Sequence, residues 1–78
     1  MELSEFITRD TKICNGAPVF RNTRVPLRTI LASLADGDDE EDILKDFPTL
    51  TREHLRAAIA FAAASAVDDL PYAPLPSS

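Results

Sequence analysis

The sequence changes its apolar pattern at Pro26, and this change constrains the fold more than any other feature of the chain. Before Pro26, turn-forming residues leave room only for short β-prone stretches. These stretches are Phe6-Ile7-Thr8, Lys12-Ile13-Cys14, Pro18-Val19-Phe20 and Thr23-Arg24-Val25. After Pro26, apolar residues recur with the spacing of an amphipathic helix. The sequence therefore predicts a mainly α fold in which short strands precede a set of helices.

Three helices are predicted after Pro26. The first covers about residues 26–36 and ends at Gly37. Asp38 is the predicted N-cap of the second helix, and Thr51 is the predicted N-cap of the third. The apolar stripe of the third helix is expected to comprise Leu55, Ile59, Ala62 and Ala66. Because only a short turn separates the second and third helices, the order fits a helix-turn-helix arrangement.

The chain is short for a domain that is stable alone, with 78 residues. A domain of this size buries only about 60% of the surface of its unfolded chain. Cys14 is its single cysteine, which excludes an internal disulfide, and one cysteine with one histidine cannot complete a structural zinc site. Apolar residues also lie outside the predicted stripe of the third helix. We therefore expect a homodimer.

Few residues suggest catalysis or metal binding. Cys14 and His54 are a conceivable nucleophile and base, but they fall in different predicted elements and no motif brings them together. A strand hydrophobe and a first-turn helix residue are the favoured alternatives. The acidic run of residues 36–42 lacks the glycine-punctuated spacing of a calcium loop, and capping of the second helix explains it. We expect no enzymatic activity, no metal and no cofactor.

Charge is distributed unevenly along the chain. The formal net charge is −5, yet residues 1–28 carry five Lys or Arg against three Asp or Glu, whereas residues 29–50 carry one against seven. In a helix-turn-helix protein the start of the third helix enters the major groove of DNA. Thr51, Arg52 and Arg56 are therefore predicted to contact DNA there, and the predicted phosphate contacts are Arg21, Arg24 and Arg28.

The alternative for each arginine is simple exposure to solvent or pairing with the acidic run. The negative net charge also opposes strong DNA binding by a single chain, because phosphate contacts dominate affinity. DNA binding would require a dimer or a basic partner.

The composition changes again after Val67, which divides the chain into a domain of residues 1–67 and a tail of residues 68–78. Alternating prolines in the tail favour an extended path. Its apolar and acidic side chains suit binding in a groove of another protein, and the predicted contacts are Asp68, Asp69, Leu70, Pro71, Tyr72 and Leu75. A disordered terminus is the alternative.

The sequence also bears on location. Its acidic start lacks the apolar run of a signal peptide, and no stretch approaches the roughly 18 apolar residues of a membrane span. We expect a cytoplasmic protein without a membrane partner.

The residues up to the third helix resemble the domain-of-unknown-function 433 family over roughly residues 5–66. The family pattern has an Ile-Thr-x-Asp-Pro opening, a Gly-x-Pro-x-Ile-x-Gly-Thr-Arg-Ile-Pro motif, a Gly-x-x-x-Glu-Glu-Ile-Leu motif and Tyr-Pro-x-Leu-Thr. The matching segments here are Ile7-Thr8-Arg9-Asp10, Gly16 to Pro26, Gly37 with Glu40 to Leu44, and Phe47 to Thr51. Asn22 replaces the usual glycine and Thr11 the usual proline; asparagine tolerates the left-handed turn conformation.

The resemblance implies a homeodomain-like helical domain fronted by short strands. It also implies a VapB-like antitoxin of a type II toxin-antitoxin system, with a PIN-like ribonuclease toxin as its partner. We therefore expect an antitoxin that dimerises, binds operator DNA and neutralises the toxin through its tail. Two alternatives stay open, a stand-alone DNA-binding transcriptional regulator and an adaptor protein that does not bind DNA.

Overall fold

Two short strands and three helices form the described part of the protein, residues 2–69 of the computed structural model. The strands are β1 (Ile7–Thr8) and β2 (Val19–Phe20). The helices are α1 (Leu27–Ala35), α2 (Glu40–Asp46) and α3 (Arg52–Asp69), and single 3₁₀ turns cover Leu3–Glu5 and Cys14–Gly16. The mainly α fold with short N-terminal strands is confirmed.

The two strands pair antiparallel and cover one end of the helices. Ile7 lies opposite Phe20 and Thr8 opposite Val19. The pairing continues one residue further, because the backbone N–H of Arg21 donates to the carbonyl oxygen of Phe6 at 2.7 Å. Val19 and Phe20 are both fully buried, so this small sheet contributes directly to the core.

Cys14 does not lie in a strand, and its predicted role as a strand hydrophobe is wrong. Ile13 makes an isolated bridge to Asp10, after which the chain leaves the extended conformation. Cys14 and Asn15 have φ angles of 53° and 55°, and Gly16 has a φ of 84°. Three successive left-handed residues form a turn, which a strand cannot accommodate.

The segment between β2 and α1 is held by a compact set of hydrogen bonds. Asn22 adopts a φ of 65°, as expected for asparagine in place of glycine. The Thr23 hydroxyl donates to the carbonyl oxygen of Phe20 at 2.7 Å and accepts from the backbone N–H of Val25 at 3.1 Å. The N–H of Phe20 also donates to the carbonyl oxygen of Val25. These bonds fix the backbone that carries Arg21 and Arg24.

Gly37 ends α1 by a Schellman motif. Its N–H donates to the carbonyl oxygen of Leu34, and the N–H of Asp38 donates to that of Ser33, both at 3.1 Å. The φ of Gly37 is 91°. Because Asp38 belongs to this motif, α2 begins one residue later than predicted, with Asp39 at the N-cap position.

Asp39 makes no side-chain capping bond. The acidic residues Glu40, Glu41 and Asp42 nevertheless occupy the first turn of α2, where the helix dipole favours anions.

Helix α3 packs against α1, α2 and the Leu3–Glu5 turn, and the predicted stripe is right for the buried Leu55 but wrong for the exposed Ile59 and Ala66. Leu55, Ala57 and Ala58 are buried and Phe61 packs on the core, whereas Ile59 is 47% exposed. The small side chains of Ala57 and Ala58 let neighbouring elements approach α3 closely, so these alanines face the core. Since apolar residues occupy every position from 57 to 64, periodicity alone could not identify the buried face.

Helix α3 continues through Asp69, so the predicted extended path is wrong for Asp68 and Asp69. The remaining predicted tail contacts, Leu70, Pro71, Tyr72 and Leu75, lie outside the described residues. Within residues 2–69, no helix is both long and apolar enough to cross a membrane.

Candidate nucleic-acid interface

A basic groove runs along the surface formed by the N-terminal segments. Its volume is about 790 Å³, and three arginines line it: Arg9, Arg21 and Arg24. All three are exposed. Polar walls are provided by Thr8, Asn22, Thr23 and Thr49. The groove is therefore suited to a ligand with several negatively charged oxygen atoms.

One acid, Asp10, also lines this groove. Its Oδ1 atom accepts the backbone N–H of Lys12 at 2.8 Å, which holds the carboxylate in the local turn. Three arginines against one such carboxylate leave an excess of positive charge in the groove.

Arg21 is held in place by a single bond that leaves most of its guanidinium available. Its Nε donates to the carbonyl oxygen of Ser4 at 2.9 Å. An arginine has five N–H donors, so the four on its terminal nitrogens remain for a ligand. Within residues 2–66, this is the one side-chain hydrogen bond formed by an arginine, and no hydrogen bond joins an arginine to the acidic run.

The start of α3 presents two further arginines. Arg52 and Arg56 are exposed and, being four residues apart, lie on one face of the helix. Thr49 connects this face to the groove, because it lines the groove and stands three residues before Arg52. Even a fully extended chain spans only about 10 Å over three residues. The groove and the start of α3 thus lie close together along the backbone, and between them they carry five arginines against the two acids Asp10 and Glu53.

His54 fixes the geometry at the start of α3. The backbone N–H of Thr51 donates to Nδ1 of His54 at 3.0 Å, and the Thr51 hydroxyl lies 2.9 Å from the same nitrogen. An N–H group can only donate, so Nδ1 is the acceptor and the hydrogen of the neutral ring is on Nε2. This bond is one half of a capping box, with histidine in the place of the Glu or Gln that accepts the N–H of the N-cap residue.

The same imidazole packs against the core. Its ring makes edge-to-face contacts with Phe6 and Phe20, with centroid distances of 5.3 and 5.7 Å. These contacts give His54 a structural role. The Thr51 hydroxyl is engaged with His54, so Thr51 would have to release this bond to donate to DNA.

The predicted DNA contacts are brought together only in part. Arg21 and Arg24 share the groove, and Arg52 and Arg56 share the start of α3. Arg28 is exposed on α1 but does not line the groove. Sequence analysis missed Arg9 and Thr49 as parts of this surface.

The sequence contains a signal for Arg9, since this residue lies within the segment that resembles the family opening. It contains no signal that Thr49 belongs to the groove, because only the fold brings the turn before α3 against the groove. Within residues 2–66, no group of three His, Cys, Asp or Glu side chains is placed to hold a metal ion.

Comparison with known proteins identifies the family. The model described as "Protein of unknown function (DUF433)" matches residues 7–62, which include both strands, α1, α2 and the first half of α3. Protein y4eO of Sinorhizobium fredii (strain NBRC 101917 / NGR234), an uncharacterized protein, is 39% identical over 61 residues. That alignment covers 78% of this chain and 28% of y4eO, so the chain spans less than a third of this relative. No solved structure matches the chain. The family match covers well over half of the chain, which therefore belongs to the DUF433 family.

Proposed function

We propose that the protein is a cytoplasmic antitoxin whose folded domain binds operator DNA as a homodimer and whose C-terminal segment neutralises a PIN-like ribonuclease toxin. The observation that carries the DNA-binding part is the basic surface formed by the groove and the start of α3. Five exposed arginines contribute to it, namely Arg9, Arg21, Arg24, Arg52 and Arg56. This concentration supports DNA binding despite the net charge of −5.

The order of α2, a short turn and α3 supports a helix-turn-helix mode of binding. In this mode the first turns of α3 enter the major groove, and Arg52 and Arg56 contact base edges or the adjacent phosphates. The first helix of this motif crosses the DNA backbone, so the acidic residues at the start of α2 and Glu53 at the start of α3 oppose this mode and have to be offset by the arginines.

The exposed face of α3 supports the homodimer. Ile59, Ala63 and Ala66 are exposed and follow Arg52 and Arg56 on the same side of the helix. An 18-residue helix is about 27 Å long, so this face has room for a basic first half and an apolar second half. The apolar half suits a second copy of the chain.

The toxin-binding part is supported by the family resemblance and by the composition of residues 68–78. Tyr72, Leu70 and Leu75 are large apolar groups of the kind that anchor a segment on a partner. Asp68 and Asp69 would face the basic groups that a ribonuclease uses to hold RNA, and would mainly raise the association rate.

DNA binding is tested with the double variant Arg52→Ala/Arg56→Ala in a gel-shift assay. The probe is the DNA upstream of the protein's own reading frame, with an unrelated duplex as competitor. We expect the variant to lose its preference for the upstream DNA. The chain has two lysines, so Lys12→Ala/Lys45→Ala is a control that removes the same charge. A double arginine variant that still prefers the upstream DNA would place the reading face elsewhere.

Toxin neutralisation is tested by truncation after Asp69, which preserves α3. The truncated chain should retain operator binding but fail to protect cells that express a neighbouring PIN-like ribonuclease. Full-length protein with Tyr72→Ala should protect these cells less than the wild type and more than the truncated chain. Protection by the truncated chain would assign neutralisation to the folded domain. Absence of protection even by the full-length chain would favour the stand-alone regulator.

A further inference from the structure

We infer that the groove lined by Arg9, Arg21 and Arg24 binds consecutive phosphates of one DNA strand beside the bases contacted by α3. This inference rests on the proposed DNA-binding function and adds Arg9, Asn22 and Thr49 to the interface. It also excludes Arg28, which does not line the groove.

The chemistry of the groove suits phosphate groups. Guanidinium groups bind phosphate through paired N–H donors, and three arginines line this one open surface. The hydroxyls of Thr8 and Thr49 and the Asn22 amide add neutral donors of the type that commonly contact phosphate oxygens, whereas the Thr23 hydroxyl already donates to Phe20. A groove of about 790 Å³ that is open to solvent suits an extended chain of phosphates.

The backbone of the groove is preorganised. The backbone of Arg21 is bonded to Phe6, and its Nε is bonded to Ser4, so the guanidinium is held before any ligand arrives. The left-handed Asn22 and the two bonds of the Thr23 hydroxyl fix the loop that carries Arg24. The backbone and Arg21 therefore lose little conformational entropy on binding, whereas the side chains of Arg9 and Arg24 still have to be ordered.

The groove also lies close to the start of α3. Thr49 forms a wall of the groove and lies in the turn that leads into the first residue of α3, Arg52. A strand whose phosphates lie in the groove would therefore pass close to the start of α3. Phosphate contacts of this kind set the register of a recognition helix on the duplex.

The test measures the salt dependence of DNA binding by fluorescence anisotropy. The probes are the upstream duplex and an unrelated duplex of equal length. The groove variant is Arg9→Ala/Arg24→Ala, because neither side chain makes a hydrogen bond within residues 2–66 and the fold should persist. Arg21 is left unchanged, since its loss would also break the bond to Ser4. Lys12→Ala/Lys45→Ala is again the control of equal charge.

We expect the groove variant to bind both duplexes at least tenfold more weakly, and to reduce the slope of log affinity against log salt concentration by about two. The lysine control should retain the wild-type slope. A groove variant with the wild-type slope would overturn the inference while leaving operator binding by α3 intact. A wild-type protein that binds both duplexes equally would contradict operator recognition. In that case a smaller salt-dependence slope in the groove variant would still support phosphate binding by the groove.

A second measurement separates DNA from free anions. The Nε–H signals of Arg9, Arg21 and Arg24 are followed by NMR during titration with the upstream duplex and, separately, with sodium pyrophosphate. Larger shifts with the duplex at equal phosphate concentration support the inference. Shifts with pyrophosphate alone would overturn it and assign the groove to a small phosphorylated ligand.

Discussion

His54 joins the start of α3 to the core through two different parts of one imidazole ring. Its Nδ1 accepts from Thr51, which caps the helix, and its ring edge contacts Phe6 and Phe20. A Glu or Gln at this position would cap the helix equally well but would not provide an aromatic surface. The residue choice therefore reflects both the helix start and the packing beneath it.

Replacement of His54 separates these two contributions. His54→Ala should lower the free energy of unfolding by about 2 kcal/mol, of which roughly half comes from the cap and half from the aromatic contacts. His54→Gln should recover about 1 kcal/mol because its side chain can accept from the Thr51 N–H. Urea denaturation measures both changes. Equal stabilities of the Ala and Gln variants would show that the cap contributes nothing.

The left-handed conformation of Asn22 gives a second prediction. Its φ of 65° is costly for a residue with a Cβ atom, and asparagine tolerates it better than most. Asn22→Ala should destabilise the protein by about 1 kcal/mol, whereas Asn22→Gly should be neutral or slightly stabilising. Thermal unfolding would distinguish them, and an Ala variant as stable as the Gly variant would contradict the strain argument.

At the scale of elements, the sequence predicted what local signals determine. Gly37 and Pro26 set the ends of α1 to within one residue, and Thr51 was the residue before α3. Two errors are local, since Cys14 lies in a left-handed turn and Asp38 in the motif that ends α1. The other errors fall where tertiary contacts decide. Ile59 satisfied helical periodicity but faces solvent, because the alanines beside it pack closer. The groove was also beyond local reasoning, since Arg9, Arg24 and Thr49 come from three separate segments.

Gly37 gives a prediction about how α1 ends. An added Cβ would meet no atom within 4 Å, so any cost of Gly37→Ala comes from its φ of 91° rather than from a clash. We expect Gly37→Ala to destabilise the protein by about 1 kcal/mol. Gly37→Asn should cost less, because asparagine also serves at this helix-end position. Chemical denaturation gives the ranking; an Ala variant more stable than the Asn variant would argue against the Schellman stop.

At the scale of the whole molecule, the exposed face of α3 divides between two proposed tasks. Its first half is basic and adjoins the groove, and its second half presents Ile59 with Ala63 and Ala66. A dimer formed through the second half would bring two basic surfaces onto one duplex. The number of arginines facing one duplex would double, and so would the net charge of −5 per chain, so any gain in affinity comes from the additional phosphate contacts.

The dimer is tested with Ile59→Glu, which places a charge on the exposed apolar face. Because Ile59 is 47% exposed, the monomer fold should be retained while association is lost. Light scattering should give about twice the chain mass of 8.5 kDa for the wild type and a single chain mass for the variant.

Ala32→Glu, at an exposed position of α1, is the control of equal charge and should remain dimeric. Operator affinity should fall further in Ile59→Glu than in the control, because only the former separates the two basic surfaces. A variant that stays dimeric would exclude this face of α3 as the interface, and a monomeric wild type would exclude the dimer itself.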